Sequence, residues 1–264
     1  MLVFDEKKYA EEIINNKQYA TVKTQGKERC IITRYLSFLG YSRNKIKSVL
    51  AQIPMAGGEC LTDDDKDKIY DKIIDKANDY EFVHDKVVKI YQEELDKVMV
   101  VEDEKLRNLI FIYLVYYKWA KQIPQLKFHS SKNNIDMVIE NNMDVWKLAG
   151  VFSLRVQARY QLCNQLYSLG LYRIENFKEH NYIYIPFSVD EGTPVFEIRN
   201  YDNVLGELKI YEEPDQYKRC QICGTVFKKN ASRKKYCSKC ARKEELRQAR
   251  ERKKRNSKNG SQTD

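Results

Sequence analysis

The chain has 264 residues, 42 % of them apolar and 32 % charged, with only 10 glycines and 5 prolines. That mix excludes fibrous and low-complexity chains and describes a globular, helix-leaning protein of one to three domains. Its net charge of +9 is unevenly placed: residues 217–264 hold 17 Lys+Arg against 4 Asp+Glu, leaving 30 against 34 for residues 1–216.

Charge so segregated points to a polyanion, nucleic acid before an acidic membrane surface, although a solvated tail that only aids solubility has the same composition. No stretch approaches eighteen uncharged apolar residues. The nearest, Leu109–Tyr117, is too short to span a bilayer, and the N-terminus lacks a secretory pattern. Cys30, Cys60 and Cys163 are dispersed, as expected of a reducing, cytoplasmic setting. Cys30 and Cys163 sit in apolar helical patterns and read as buried thiols.

From residue 6 to about 143 the periodicity predicts helices. Ile31, Ile32, Tyr35, Leu36 and Leu39 form a one-sided stripe over 28–39, closed by Gly40. Ser42 then caps a second helix with Ile46, Val49, Leu50 and Ile53 inward. Helix, short glycine turn, helix is the outline of a helix-turn-helix, with Arg43, Lys45 and Lys47 outward. It is equally the outline of a hairpin in a bundle, which is the reading we take. Residues 54–59 form a loop without the lysine and hydroxyl of a phosphate cradle. Thr62 followed by Asp63, Asp64 and Asp65 reads as a helix start rather than a carboxylate site. A helix over about 102–122 is crowded with aromatics, which suit a core better than a base-stacking platform.

Residues 129–142 read as a linker. Beyond them come a short helix at 144–149, a longer one at 153–169, and alternating runs at 171–177, 182–187, 195–198 and 205–211. Val145–Val151, and the longer helix ending Leu166–Leu171, are similar to the second and third helices of a winged helix. A wheel places Gln157, Gln161, Asn164, Gln165 and Ser168 on one arc, and Ala158, Leu162, Cys163, Leu166 and Leu169 on another. Exposed amides can pair bidentately with adenine in the major groove. Arg155 and Arg159 fall within the apolar arc; near the helix start they are expected to escape toward phosphates and bases.

Cys220, Cys223, Cys237 and Cys240 form two Cys-x-x-Cys pairs separated by thirteen residues. This spacing aims four thiolates at one ion and predicts a closed, structural zinc site. A pair of redox dithiols is the alternative, and it would need a thioredoxin-like strand-helix setting that the sequence lacks. Phe227 and Tyr236 are expected to pack against the metal. Lys228, Lys229, Arg233, Lys234 and Lys235 decorate the connection, and Arg242 and Lys243 open a basic helix. The last residues read as a disordered tail.

The architecture resembles uncharacterised proteins of phages and mobile elements of low-GC bacteria. Trp146–Val151, Leu166–Leu171, Cys220–Gly224 and Tyr236–Ala241 carry the likeness. It implies a phage or prophage regulatory or accessory factor. The expected fold is mainly α with small β: a helical domain (1–128), a linker (129–142), a winged-helix-like domain (143–214), a zinc ribbon (215–241) and a basic helix with tail (242–264). The expected function is non-enzymatic DNA binding. His84, His129 and His180 are not spaced as metal ligands, and no nucleophile or nucleotide motif is present. Two alternatives stay open. One is an adaptor that redirects a recombinase, polymerase or defence nuclease; the other is an RNA-binding regulator.

Overall fold

A computed structural model describes residues 2–56, 62–131, 134–177, 179–229 and 234–259. The expected loop at 54–59 lies partly outside these residues, and Cys60 and Arg233 lie outside them entirely. The protein is mixed α/β, about 52 % helix and 14 % strand. The chain divides into two compact units, Met1–Arg199 and Asn200–Asp264.

The first unit begins with α1 (Glu6–Asn16), α2 (Gln25–Phe38), α3 (Arg43–Ala51) and α4 (Asp63–Asn78). Ile13, Ile31, Ile32, Leu36, Ile46 and Ile74 share their core. Asp5 caps α1 by accepting from the Lys8 N–H, and Thr62 caps α4 by accepting from the Asp65 N–H, so the aspartates belong to a helix start. Arg43 and Lys47 are engaged by α4 rather than left free for a DNA backbone. Arg43 pairs with Asp71 and Asp75 of α4, each at 2.7 Å, and Lys47 with Asp67 and Asp71, each at 2.8 Å. Lys45 lies over the Tyr41 ring. The α2–α3 pair is a bundle hairpin pinned to its neighbour by charge.

The helical reading of 6–143 is corrected by three strands. β1 (Val88–Tyr91) leads into α5 (Gln92–Met99) and α6 (Glu104–Ala120); β2 (Lys127–Ser130) and β3 (Ile135–Ile139) follow. Residues 129–142 are therefore not a linker. β2 and β3 pair along Lys127–Ser130, and α6 holds β3 from below. The Tyr116 hydroxyl donates to the Ile139 carbonyl at 2.5 Å and that of Tyr117 to the Asp136 carbonyl at 2.6 Å. Helix α6 is buried on nearly every face from Leu109 onward, as its aromatic content predicts. Tyr116 and Tyr117 thus meet their hydrogen-bond requirement on the neighbouring backbone, and Tyr113 meets its own on the Asn142 side chain.

Next come α7 (Asn142–Leu148), α8 (Val156–Ser168), β4 (Arg173–Phe177) and β5 (His180–Tyr184). One antiparallel sheet has the order β2-β3-β5-β4. β5 begins at His180, earlier than the expected run at 182–187, and His180 pairs with Phe177. β6 (Pro194–Ile198) leaves this sheet and pairs with β1, Val88 opposite Ile198. A buried charge pair secures the approach to β6: Lys118 of α6 donates to Glu94 at 2.5 Å and to the Val189 carbonyl at 2.6 Å. Glu94 also accepts from the Tyr91 and Val189 N–H groups. Burial holds the Lys118 amine below its usual range despite that partner.

In the second unit, the run at 205–211 is not a strand. It lies in α9 (Val204–Glu212), whose buried Val204 and Leu208 are spaced four apart. β7 (Tyr217–Arg219) and β8 (Val226–Lys228) pair antiparallel, and α10 (Ser238–Asn259) ends the described chain. Among the described residues no helix is long and apolar enough to cross a membrane.

Candidate functional site

The cysteine quartet is built by two short structures. β7 and β8 are joined by a knuckle in which the Cys220 N–H donates to the Thr225 carbonyl and the Gly224 N–H to the Cys220 carbonyl, both at 2.9 Å. Gly224 sits at φ +70, a backbone state that glycine adopts without steric cost. The second pair enters through Lys235, whose carbonyl accepts from the Gln221 N–H at 3.2 Å. Cys237 precedes α10 and Cys240 lies in its first turn, where the Ala241 N–H donates to the Cys237 carbonyl.

The four sulfurs lie within 4.8 Å of one another, and none is in a disulfide. Cys223 Sγ and Cys237 Sγ are 3.7 Å apart. A tetrahedron with metal–sulfur bonds of about 2.3 Å has edges of about 3.8 Å, so the donor set fits a four-thiolate cation site. Burial opposes ionisation of Cys220, but backbone N–H groups of Cys223, Cys237 and Ile222 outweigh it and hold the thiol down at about 6. The Thr225 hydroxyl, 3.3 Å away, draws Cys223 down as well. Hydrogen bonding to the sulfur of Cys223 first, and then burial, pushes Cys240 up to about 12. Four thiolates so close repel unless a cation sits among them.

Around the quartet, α9 supplies what the small hairpin cannot. Val226 is buried against Gly206, Asn203 Nδ2 donates to the Val226 carbonyl at 2.8 Å, and Arg219 pairs with Glu207. Lys228, Lys235, Arg242 and Lys243 are exposed. Lys229 is half-buried and donates to the Pro214 carbonyl at 3.1 Å, which leaves it less available than its neighbours. Phe227 is half-buried, with Lys234 Nζ 5.4 Å and Lys218 Nζ 5.8 Å from its ring centre. Sequence reasoning missed Lys218. The signal was the hairpin register, which sets it opposite Phe227.

In the first unit, Gln157, Gln161, Asn164, Gln165 and Ser168 are all exposed on α8, and Arg155 is exposed at its N-cap. Arg159 is corrected: it is 7 % exposed, with its guanidinium 4.8 Å from the Trp146 ring and 4.9 Å from that of Phe152. Cation–π contact holds it inward, so its apolar-arc position outweighs its charge. Cys163 is buried, 3.5 Å from the Tyr113 hydroxyl, and its thiol is pushed up by that burial. Cys30 is only half-buried.

No family model, no curated protein and no solved structure matches the chain.

Proposed function

We propose that the chain is a non-enzymatic DNA-binding regulatory or accessory protein of phage or prophage type, anchored on the phosphate backbone by a zinc-stabilised basic module. The observation that carries this reading is the second unit. A cysteine quartet with tetrahedral spacing organises a hairpin and helix from which Lys228, Lys235, Arg242 and Lys243 are exposed. Zinc is the cation that four thiolates favour, and its role is structural because no coordination position is left for water. Lysines and arginines held on a rigid module neutralise phosphates and release counterions.

The order α6, β3, α7, α8, β4, β5, with β5 between β3 and β4, supports a winged-helix-like reading of the middle of the chain. In that reading α8 presents Gln157 and Gln161 to base edges and Arg155 to phosphate.

Duplex binding by the zinc-loaded protein, followed by fluorescence anisotropy across a salt series, tests the proposal. The logarithm of affinity is expected to fall linearly with that of salt, by about 0.9 per phosphate neutralised. Replacing Lys234 and Lys235 with glutamine should reduce that slope by about two for all sequences. Replacing Gln157 and Gln161 with alanine should instead alter sequence preference at constant slope. No duplex affinity at all, or preferential displacement by single-stranded RNA, would sink the DNA reading.

A protein-partner adaptor is the second reading. It draws on the exposed apolar side chains Val156, Tyr160, Tyr167 and Leu169 beside the amide face. Duplex binding that requires added cell extract would favour it.

A further inference from the structure

The first unit contains a cavity of about 650 Å³ that the nucleic-acid reading does not use. That volume lies in the range of small-molecule sites, roughly 300–1,000 Å³. Ile31 of α2 lines one part of the wall, and Trp119 of α6 and Ile139 of β3 line another, so the lining is mostly apolar. The Trp119 ring is fixed because its Nε1–H donates to the Phe4 carbonyl at 3.3 Å.

The charged groups that line the cavity are unequally engaged. Glu6 accepts from Arg34 and from the Val83 N–H. Glu81 accepts from Lys86 at 3.0 Å, and Glu140 from Tyr172 at 2.5 Å and Asn181 at 3.1 Å. Every lining carboxylate is therefore occupied, and so is the arginine. Lys27 and Lys76 are different: neither has a hydrogen-bond or ion-pair partner among the described residues. Glu140 keeps its charge, because both its donors are neutral, but a cationic ligand would face two ammonium groups against that one carboxylate. A neutral one would draw nothing from either lysine. An anion with an apolar body satisfies both the walls and the ammonium groups.

We propose that this cavity binds a small organic anion with an apolar body, its acidic head taken by Lys27 and Lys76 and its body lying against Ile31, Trp119 and Ile139. The site is independent of duplex binding and stands or falls separately from it.

Decanoate is the probe, titrated into zinc-loaded, full-length, ¹⁵N-labelled protein. The chain has two tryptophans, and Trp119 alone lines the cavity; their indole resonances are assigned with W146F. The expected result is a saturable shift of the Trp119 indole signal with Trp146 unmoved. K27Q/K76Q should weaken decanoate roughly tenfold or more, as loss of charge-assisted contacts requires, and leave decanol binding unchanged. Both lysines are exposed, so the double variant retains the fold. Absence of a saturable Trp119 shift overturns the site. Equal decanoate affinity in the native protein and the double variant overturns the assignment of an anion.

Discussion

Cys223 is the exposed member of the quartet, yet its loss should be felt through the whole second unit. A Cys223→Ser chain keeps three thiolates, and its bound zinc, measured by elemental analysis, should fall well below one per chain. Structural zinc contributes on the order of 10 kcal/mol to the folding of small modules. The variant should therefore resemble native protein treated with a chelator, with loss of protease resistance after residue 200. Lys118 shows the opposite situation, a charge that matters because of what it leaves behind. Lys118→Met strands Glu94, which is fully buried, and should cost about 3–5 kcal/mol in urea denaturation. Arg159 teaches a related lesson. Its placement among Trp146 and Phe152 follows from its wheel position, which the sequence alone gives; its charge argues for solvent.

At the level of elements, the close approach of α9 to β8 depends on one residue. A Cβ on Gly206 would lie 2.5 Å from Asn203 Nδ2 and 2.7 Å from Val226 Cβ. Gly206→Ala should therefore destabilise the second unit by about 1–3 kcal/mol, read as earlier zinc release on heating, while the first unit melts as before. Helices with strong local signals were legible: the Thr62 cap, the buried aromatic α6, the amide face of α8. Strands were not. β1 and β3 have four and five residues, too few for alternation to stand out. The partner of β1 also lies far along the chain: it joins β6 across a separation of about a hundred residues. Helix α9 was misread for the same reason, because a nine-residue element supports two periods almost equally.

For the molecule as a whole, the charge division and the structural division nearly coincide, with the basic excess beginning at 217 and the second unit at 200. A chain ending at Arg199 keeps both sheet pairings of the first unit, β1–β6 and β2-β3-β5-β4. It should fold, retain the decanoate response of Trp119, and lose the salt-dependent part of duplex affinity; an unchanged salt slope would refute the anchoring role. Composition and cysteine spacing were enough to locate the four-cysteine, basic end, because ligand spacing and charge are local properties that any fold must accommodate. Neither the pairing of Arg43 and Lys47 with α4 nor the cavity beside Lys27 and Lys76 could be read that way. Each depends on which distant segments pack together, and burial and partnership are properties of neighbours in space rather than of neighbours along the chain.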